Sequence, residues 1–144
     1  MSTMSLDDLY RRVIMDHYQH PRNRGIKSDE GIQVHLHNPS CGDRITLQLL
    51  MEGDLVKEAR FEGEGCSISM SSASMMTEAV KGLTKEEALR KVEKFSCMMM
   101  GEGEVEEDLG DLEALHGVSK FPARIKCATL AWKALEKGLQ EKEE

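Results

Sequence analysis

Residues 32–61 read IQVHLHNPSCGDRITLQLLMEGDLVKEARF, and the alternation in this stretch decides the fold class. Ile32, Val34 and Leu36 alternate with Gln33, His35 and His37. Ile45, Leu47, Leu49 and Met51 then alternate with polar Thr46 and Gln48. Glu52-Gly53-Asp54 supplies a turn, and Leu55 to Phe61 makes a third run. A two-residue period with turn residues between the runs predicts a small antiparallel meander with one face buried.

Outside this stretch the period lengthens. Ser5 precedes Leu6, Leu9, Tyr10, Val13, Ile14 and His17, the pattern of a capped amphipathic helix with Asp8 in its first turn. That helix must stop near His20, because Pro21-Arg22-Asn23-Arg24-Gly25 cannot continue it. After Gly63-Glu64-Gly65, residues 67–81 are rich in Ser, Ala and Met and read as a helix that Gly82 can end. Thr84-Lys85-Glu86-Glu87 is a capping box, opening a helix over 85–97 with Ala88, Leu89, Val92 and Phe95 on one face. Residues 102–113 carry seven acidic side chains and two glycines, and predict a connection with at most a short helix. Pro122 is well placed to start a final helix bearing Ile125, Leu130, Trp132 and Leu135. Glu141 to Glu144 reads as a frayed end. The expected architecture is α+β: one domain over 1–144, with a three-stranded antiparallel sheet carrying several helices on one face.

Bulk properties exclude several function classes. At 144 residues a chain buries roughly 68–70% of its unfolded surface and needs no disulfides to hold a core. Lys+Arg 19 against Asp+Glu 26 gives a net charge of −7, which argues against nucleic-acid binding. Apolar runs fall far short of a membrane span. Asp7, Asp8, Arg11, Arg12 and Asp16 break any signal-peptide core, so a cytoplasmic protein with no membrane partner is expected.

The four cysteines stand at 41, 66, 97 and 127, without a CxxC pair. In a chain without a signal peptide they read as metal ligands or reactive thiols rather than disulfides. Cys41 lies in the loop Asn38-Pro39-Ser40-Cys41-Gly42-Asp43, Cys66 at a predicted helix start, and Cys127 early in the last helix. A helix N-terminus favours thiolate, and Arg124 and Lys126 flank Cys127 with positive charge. Thiolates suit zinc, and a carboxylate can complete a tetrahedron. Spacing alone leaves two readings open: a shared metal site, or three unrelated buried thiols.

Four segments add a resemblance. DHYQHPRN (16–23), NPSCGD (38–43), GEGCSIS (63–69) and FPARIKCATLAWKALEKG (121–138) together resemble the U-type (NifU N-terminal, IscU-like) iron–sulfur cluster assembly family, in order and over nearly the whole chain. In the scaffold branch of that family a histidine usually precedes the last cysteine; here Lys126 does. The scaffold branch also has a shorter connection than the stretch around 98–118, which reads as a helical, acidic insertion. Both departures point to the SufU branch. That resemblance implies a SufE/NifU-like fold and one zinc ion held by Cys41, Asp43, Cys66 and Cys127. It further implies a partner cysteine desulfurase (SufS-like) and a downstream cluster assembly complex.

What the resemblance implies makes chemical sense. Three thiolates and one carboxylate leave a zinc site with two excess negative charges, for which Arg124 and Lys126 are suitable neighbours. Zinc has no redox chemistry and tolerates ligand exchange. A desulfurase residue would replace Cys41 on zinc, freeing Cys41 to accept persulfide sulfur. The competing function is a scaffold on which an iron–sulfur cluster is built by the same cysteines.

Other features read as structural. Cys97 is an incidental or buried thiol at a helix end, and His35 and His37 form a solvated or packed pair on one strand face. His17 and His20 belong to a helix end and turn that can offer a partner surface. Met75 and Met76 fill the core, and the triplet Met98 to Met100 points around a helix rather than at one centre. Glu102 to Glu113 reads as a solvated acidic run, with docking to a basic partner patch as its alternative. Gly63-Glu64-Gly65 lacks phosphate-loop spacing. Ser67, Ser69, Ser71 and Ser72 have no matched His–Asp partners.

Overall fold

The computed structural model describes residues 6–26, 31–38, 42–100 and 107–141. The alternating stretch forms three antiparallel strands in sequential order, β1 (Ile32–Asn38), β2 (Asp43–Glu52) and β3 (Leu55–Glu64). Register follows the pattern of apolar residues. Val34 faces Leu47, which faces Phe61, and Ile32 faces Leu49, which faces Ala59. Continued two steps, this inward row passes Ile45 and reaches Asp43, so the two-residue period itself places a carboxylate on the buried face. Gly63 lies opposite Ile45, and a Cβ there would overlap the Arg44 carbonyl oxygen. Space, not backbone conformation, demands glycine at that position.

Among the described residues, four α-helices and one 3-10 segment accompany the sheet. They are α1 (Leu6–Gln19), α2 (Ser67–Val80), α3 (Lys85–Met99), the 3-10 segment (Glu107–Lys120) and α4 (Pro122–Glu141). α2 and α4 pack on the strands, α1 lies on α2 and the 3-10 segment, and α3 lies on the 3-10 segment and α4. α4 approaches the sheet closely at Gly138, where a Cβ would stand 2.8 Å from Leu49 Cδ1. Phe95 of α3 stacks on Trp132 of α4 with ring centroids 4.5 Å apart. Among the described residues no helix is long and apolar enough to cross a membrane.

α2 is buried nearly all round, and its small residues explain how neighbours approach from several sides. Its hydroxyls bond to those neighbours. Ser72 Oγ donates to the Ala128 carbonyl at 2.6 Å and accepts from Trp132 Nε1 at 3.1 Å. Ser74 Oγ accepts from the Arg22 backbone and bonds His17 Nδ1, each at 2.8 Å. Asn23 Nδ2 donates to Thr77 Oγ1 at 3.2 Å. The turn after α1 is also tied to β3, where Phe61 donates to the Asn23 carbonyl and Gly25 to the Phe61 carbonyl. His17 is therefore no surface residue; it is 3% exposed and clamps α1 to α2. His20 remains exposed.

The largest departure from sequence expectation lies in the acidic connection. Residues 101–106 fall outside the described residues, but 107–120 form a 3-10 run rather than a loop with a short helix. The cause is a spacing of three: Leu112, Leu115 and Val118 are all buried, and a helix of three residues per turn stacks them on one face. Met98 and Met99 are buried while Met100 is 65% exposed, as expected of consecutive residues around a helix. Cys97 is exposed, as are His35 and His37; His35 bonds Thr46 Oγ1.

The capping box at α3 forms as its sequence requires. Thr84 Oγ1 accepts from Glu87 N at 3.1 Å, and Glu87 Oε1 accepts from Thr84 N at 3.0 Å. Replacing Thr84 by alanine should cost about 1 kcal/mol of stability, read as a lower urea midpoint. The backbone bond from Thr84, followed by the bond to its side chain, holds the Glu87 carboxyl below its ordinary range. A depressed carboxyl stabilises above its unfolded pKa and loses that contribution as pH falls through the folded value. The contribution of the Glu87 carboxylate should therefore fall away in acid, whereas the Thr84 Oγ1 bond to Glu87 N does not titrate.

Candidate metal centre

Three side chains from separate elements converge at one end of the sheet. Asp43 opens β2, Cys66 is the N-cap of α2, and Cys127 is the sixth residue of α4. One ligand atom from each, the Asp43 carboxylate oxygen and the two Sγ atoms, lies within 4.8 Å of the others. Asp43 and Cys127 are buried and Cys66 is half-buried. Residues 23 and 61 positions apart in sequence thus meet because β3 returns the chain to the start of β2 and α4 packs across α2.

Local bonds hold the arrangement. Cys66 N donates to Asp43 Oδ1 at 3.1 Å, so the strand carboxylate occupies a helix N-terminal donor. The Cys66 side chain makes no capping bond of its own, which leaves its sulfur for other work. Ser72, bonded to the Ala128 carbonyl, fixes α4 against α2 one residue from Cys127. Gly42 has φ of +74°, a left-handed conformation suited to glycine, and its N–H bonds the Asn38 carbonyl at 2.8 Å. Those bonds close the β1–β2 connection just before Asp43.

The donors fit a borderline divalent ion. Two thiols and a carboxylate, largely withdrawn from water, are a set that zinc binds, and a buried carboxylate needs a cation or donors to offset its charge. The fourth residue expected from the sequence, Cys41, lies outside the described residues. Of the described residues that flank it, Asn38 is buried and Gly42 is exposed.

Two expectations change. The helix N-terminal argument for thiolate applies to Cys66, whereas Cys127 sits beyond the first four unpaired N–H groups of α4. Arg124 and Lys126 are both exposed on α4. Lys126 lines a shallow cleft with Leu36, His37, Asn38, Leu130 and Lys133, where β1 meets α4. Sequence reasoning missed Ser72 as a support of α4 beside Cys127; only the packing of α2 reveals what its hydroxyl reaches.

Comparison with known proteins shows the family. The family described as NifU-like N-terminal domain matches residues 9–141. The chain belongs to that family. Among curated members, the protein named zinc-dependent sulfurtransferase SufU from Bacillus subtilis (strain 168) is 62% identical, over 96% of this chain and 95% of its own. The protein named iron–sulfur cluster assembly scaffold protein IscU from Streptococcus pyogenes serotype M1 is 44% identical, over 97% and 88%. A crystal structure described as an iron–sulfur cluster assembly scaffold protein for the SUF system (FiSufU), from Fervidobacterium islandicum AW-1, superposes with a TM-score of 0.86 at 36% identity, over 94% of this chain and 99% of that one. The α+β architecture is thus that of the NifU-like family, whose members carry both sulfurtransferase and scaffold names.

Proposed function

We propose that this NifU-like protein is a zinc-dependent sulfurtransferase. It accepts sulfur on Cys41 from the persulfide of a partner cysteine desulfurase and passes it toward iron–sulfur cluster assembly. The observation that carries the reading is the convergence of Asp43, Cys66 and Cys127 within 4.8 Å, in a chain 62% identical to a protein named for that activity.

Asp43, Cys66 and Cys127 would hold the ion, with Cys41 as fourth ligand. When bound, zinc would keep its cysteine ligands as thiolates and permit their exchange without redox change. Cys41 is assigned as acceptor because it comes from a strand connection, whereas Cys66 and Cys127 are held by helices. The Cys41 thiolate attacks the outer sulfur of the desulfurase persulfide. A new S–S bond forms to Cys41 as the old one breaks, and the desulfurase cysteine leaves as thiolate, so no outside oxidant is required. Arg124 and Lys126 would offset the excess negative charge of the site from the surface of α4.

The scaffold reading is favoured by relatives named IscU, and thiolates serve iron as well as zinc. Lys126 before the last cysteine argues for transfer. The test is desulfurase turnover with cysteine, in the presence of the zinc-loaded protein. Wild type should accelerate turnover and Cys41→Ala should not. Equal stimulation by Cys41→Ala would refute the role of Cys41 as acceptor.

A further inference from the structure

We propose that Ser69 is a positioning residue of the metal centre, acting through Cys66; the inference rests on the metal-centre reading above. Ser69 is the third residue of α2 and 2% exposed. Its Oγ donates to the Cys66 carbonyl at 3.1 Å and lies 3.7 Å from Cys66 Sγ, within reach of the thiol as a donor.

The hydroxyl has two acceptors within reach, and metal binding chooses between them. A free thiol is itself a donor, so Ser69 can spend its hydrogen on the Cys66 carbonyl. Sulfur bound to a metal has no proton to give and becomes an acceptor only. The Ser69 hydrogen then reaches Sγ by rotation about the Cβ–Oγ bond, with no heavy atom displaced. Nothing is orphaned by that rotation, because the Cys66 carbonyl keeps the Met70 N–H at 3.1 Å. The sulfur gains a donor that fixes its direction and draws off part of its negative charge.

Gly65 explains why Ser69 stays in place. A Cβ at position 65 would overlap Ser69 Oγ and stand 2.5 Å from Asp43 Oδ1. Position 65 thus has no room for a side chain beside the Ser69 hydroxyl and the Asp43 carboxylate. Two ligands and the hydroxyl share one packed space.

A purely structural Ser69 would do no more than satisfy its own helix. Ser71 is such a case; it is fully buried and donates to the Ile68 carbonyl at 3.2 Å. It provides the control. Full-length wild type, Ser69→Ala and Ser71→Ala would be loaded with Co²⁺ and Zn²⁺, and affinity measured by competition with a chelator. Ser69→Ala should bind both ions about 10–100-fold more weakly. Its sulfur-to-cobalt charge-transfer band should move to lower energy, because the thiolate has lost a hydrogen bond. Ser71→Ala should keep the wild-type affinity and band. Wild-type affinity and an unmoved band in Ser69→Ala would overturn the inference, as would equal changes in both variants. Failure of the wild type to take up either ion would instead overturn the metal centre itself.

Discussion

Replacing Cys127 by serine should strip the protein of zinc while leaving it folded. Serine nearly matches cysteine in volume, so the buried position on α4 does not collapse. What changes is the donor: a neutral hydroxyl replaces a thiolate, and a site holding Asp43 and Cys66 loses one of its two described sulfurs. Dialysis against a moderate chelator should leave wild type with one zinc per chain and Cys127→Ser with essentially none. Far-ultraviolet circular dichroism should be unchanged, because Ser72, Trp132 and the sheet hold the helices without the ion. Full zinc retention by the variant would remove Cys127 from the site.

Trp132→Ala should be the most destabilising single change in the core, at about 3–5 kcal/mol. The indole is 2% exposed, stacks on Phe95 and donates to Ser72 Oγ. Its loss opens a cavity between α3 and α4 and weakens the Ser72 bond that fixes α4 next to Cys127. Urea denaturation should show the midpoint falling with little change in slope. Trp132→Phe keeps a stacking ring but loses the indole donor and part of the ring volume, so an intermediate cost of about 2 kcal/mol is expected. A near-neutral Trp132→Ala would mean that the interface of α2, α3 and α4 does not depend on this contact.

Much of this fold is local chemistry and can be read from the chain. The meander follows from alternation between Ile32 and Phe61, and α3 begins where Thr84 and Glu87 cap it. Even the burial of Asp43 is implicit, since it continues the inward row of Ile45, Leu47 and Leu49. Other features depend on contacts across distance. The period of α1 already sets His17 with its apolar residues, but nothing local tells that it meets Ser74, or that Ser72 reaches the carbonyl after Cys127. The 3-10 segment carried a legible signal in the three-residue spacing of Leu112, Leu115 and Val118, but the acidic residues around it drew the reading toward a loop.

The site divides in the same way. Cysteines without a CxxC pair have no spacing that announces a shared ion, so their residue types alone favour separate thiols over a common site while leaving both open. Resemblance to the U-type family supplied the grouping, and the fold brings Asp43, Cys66 and Cys127 together. Arg124 and Lys126 were legible as positive charge near Cys127, but their exposure was not, because helical phase relative to a buried neighbour is set by packing. Ser69 was visible only as one of several serines; its importance comes from what lies 3.7 Å away.

The central claim is tested most directly by following one sulfur atom. The zinc-loaded protein would be incubated with a cysteine desulfurase and cysteine, then analysed by intact and peptide mass. The expected result is a single added sulfur on the peptide carrying Cys41, with faster desulfurase turnover. An unmodified Cys41 peptide and an unchanged rate would contradict sulfur transfer and leave cluster assembly on the same thiols as the reading to pursue.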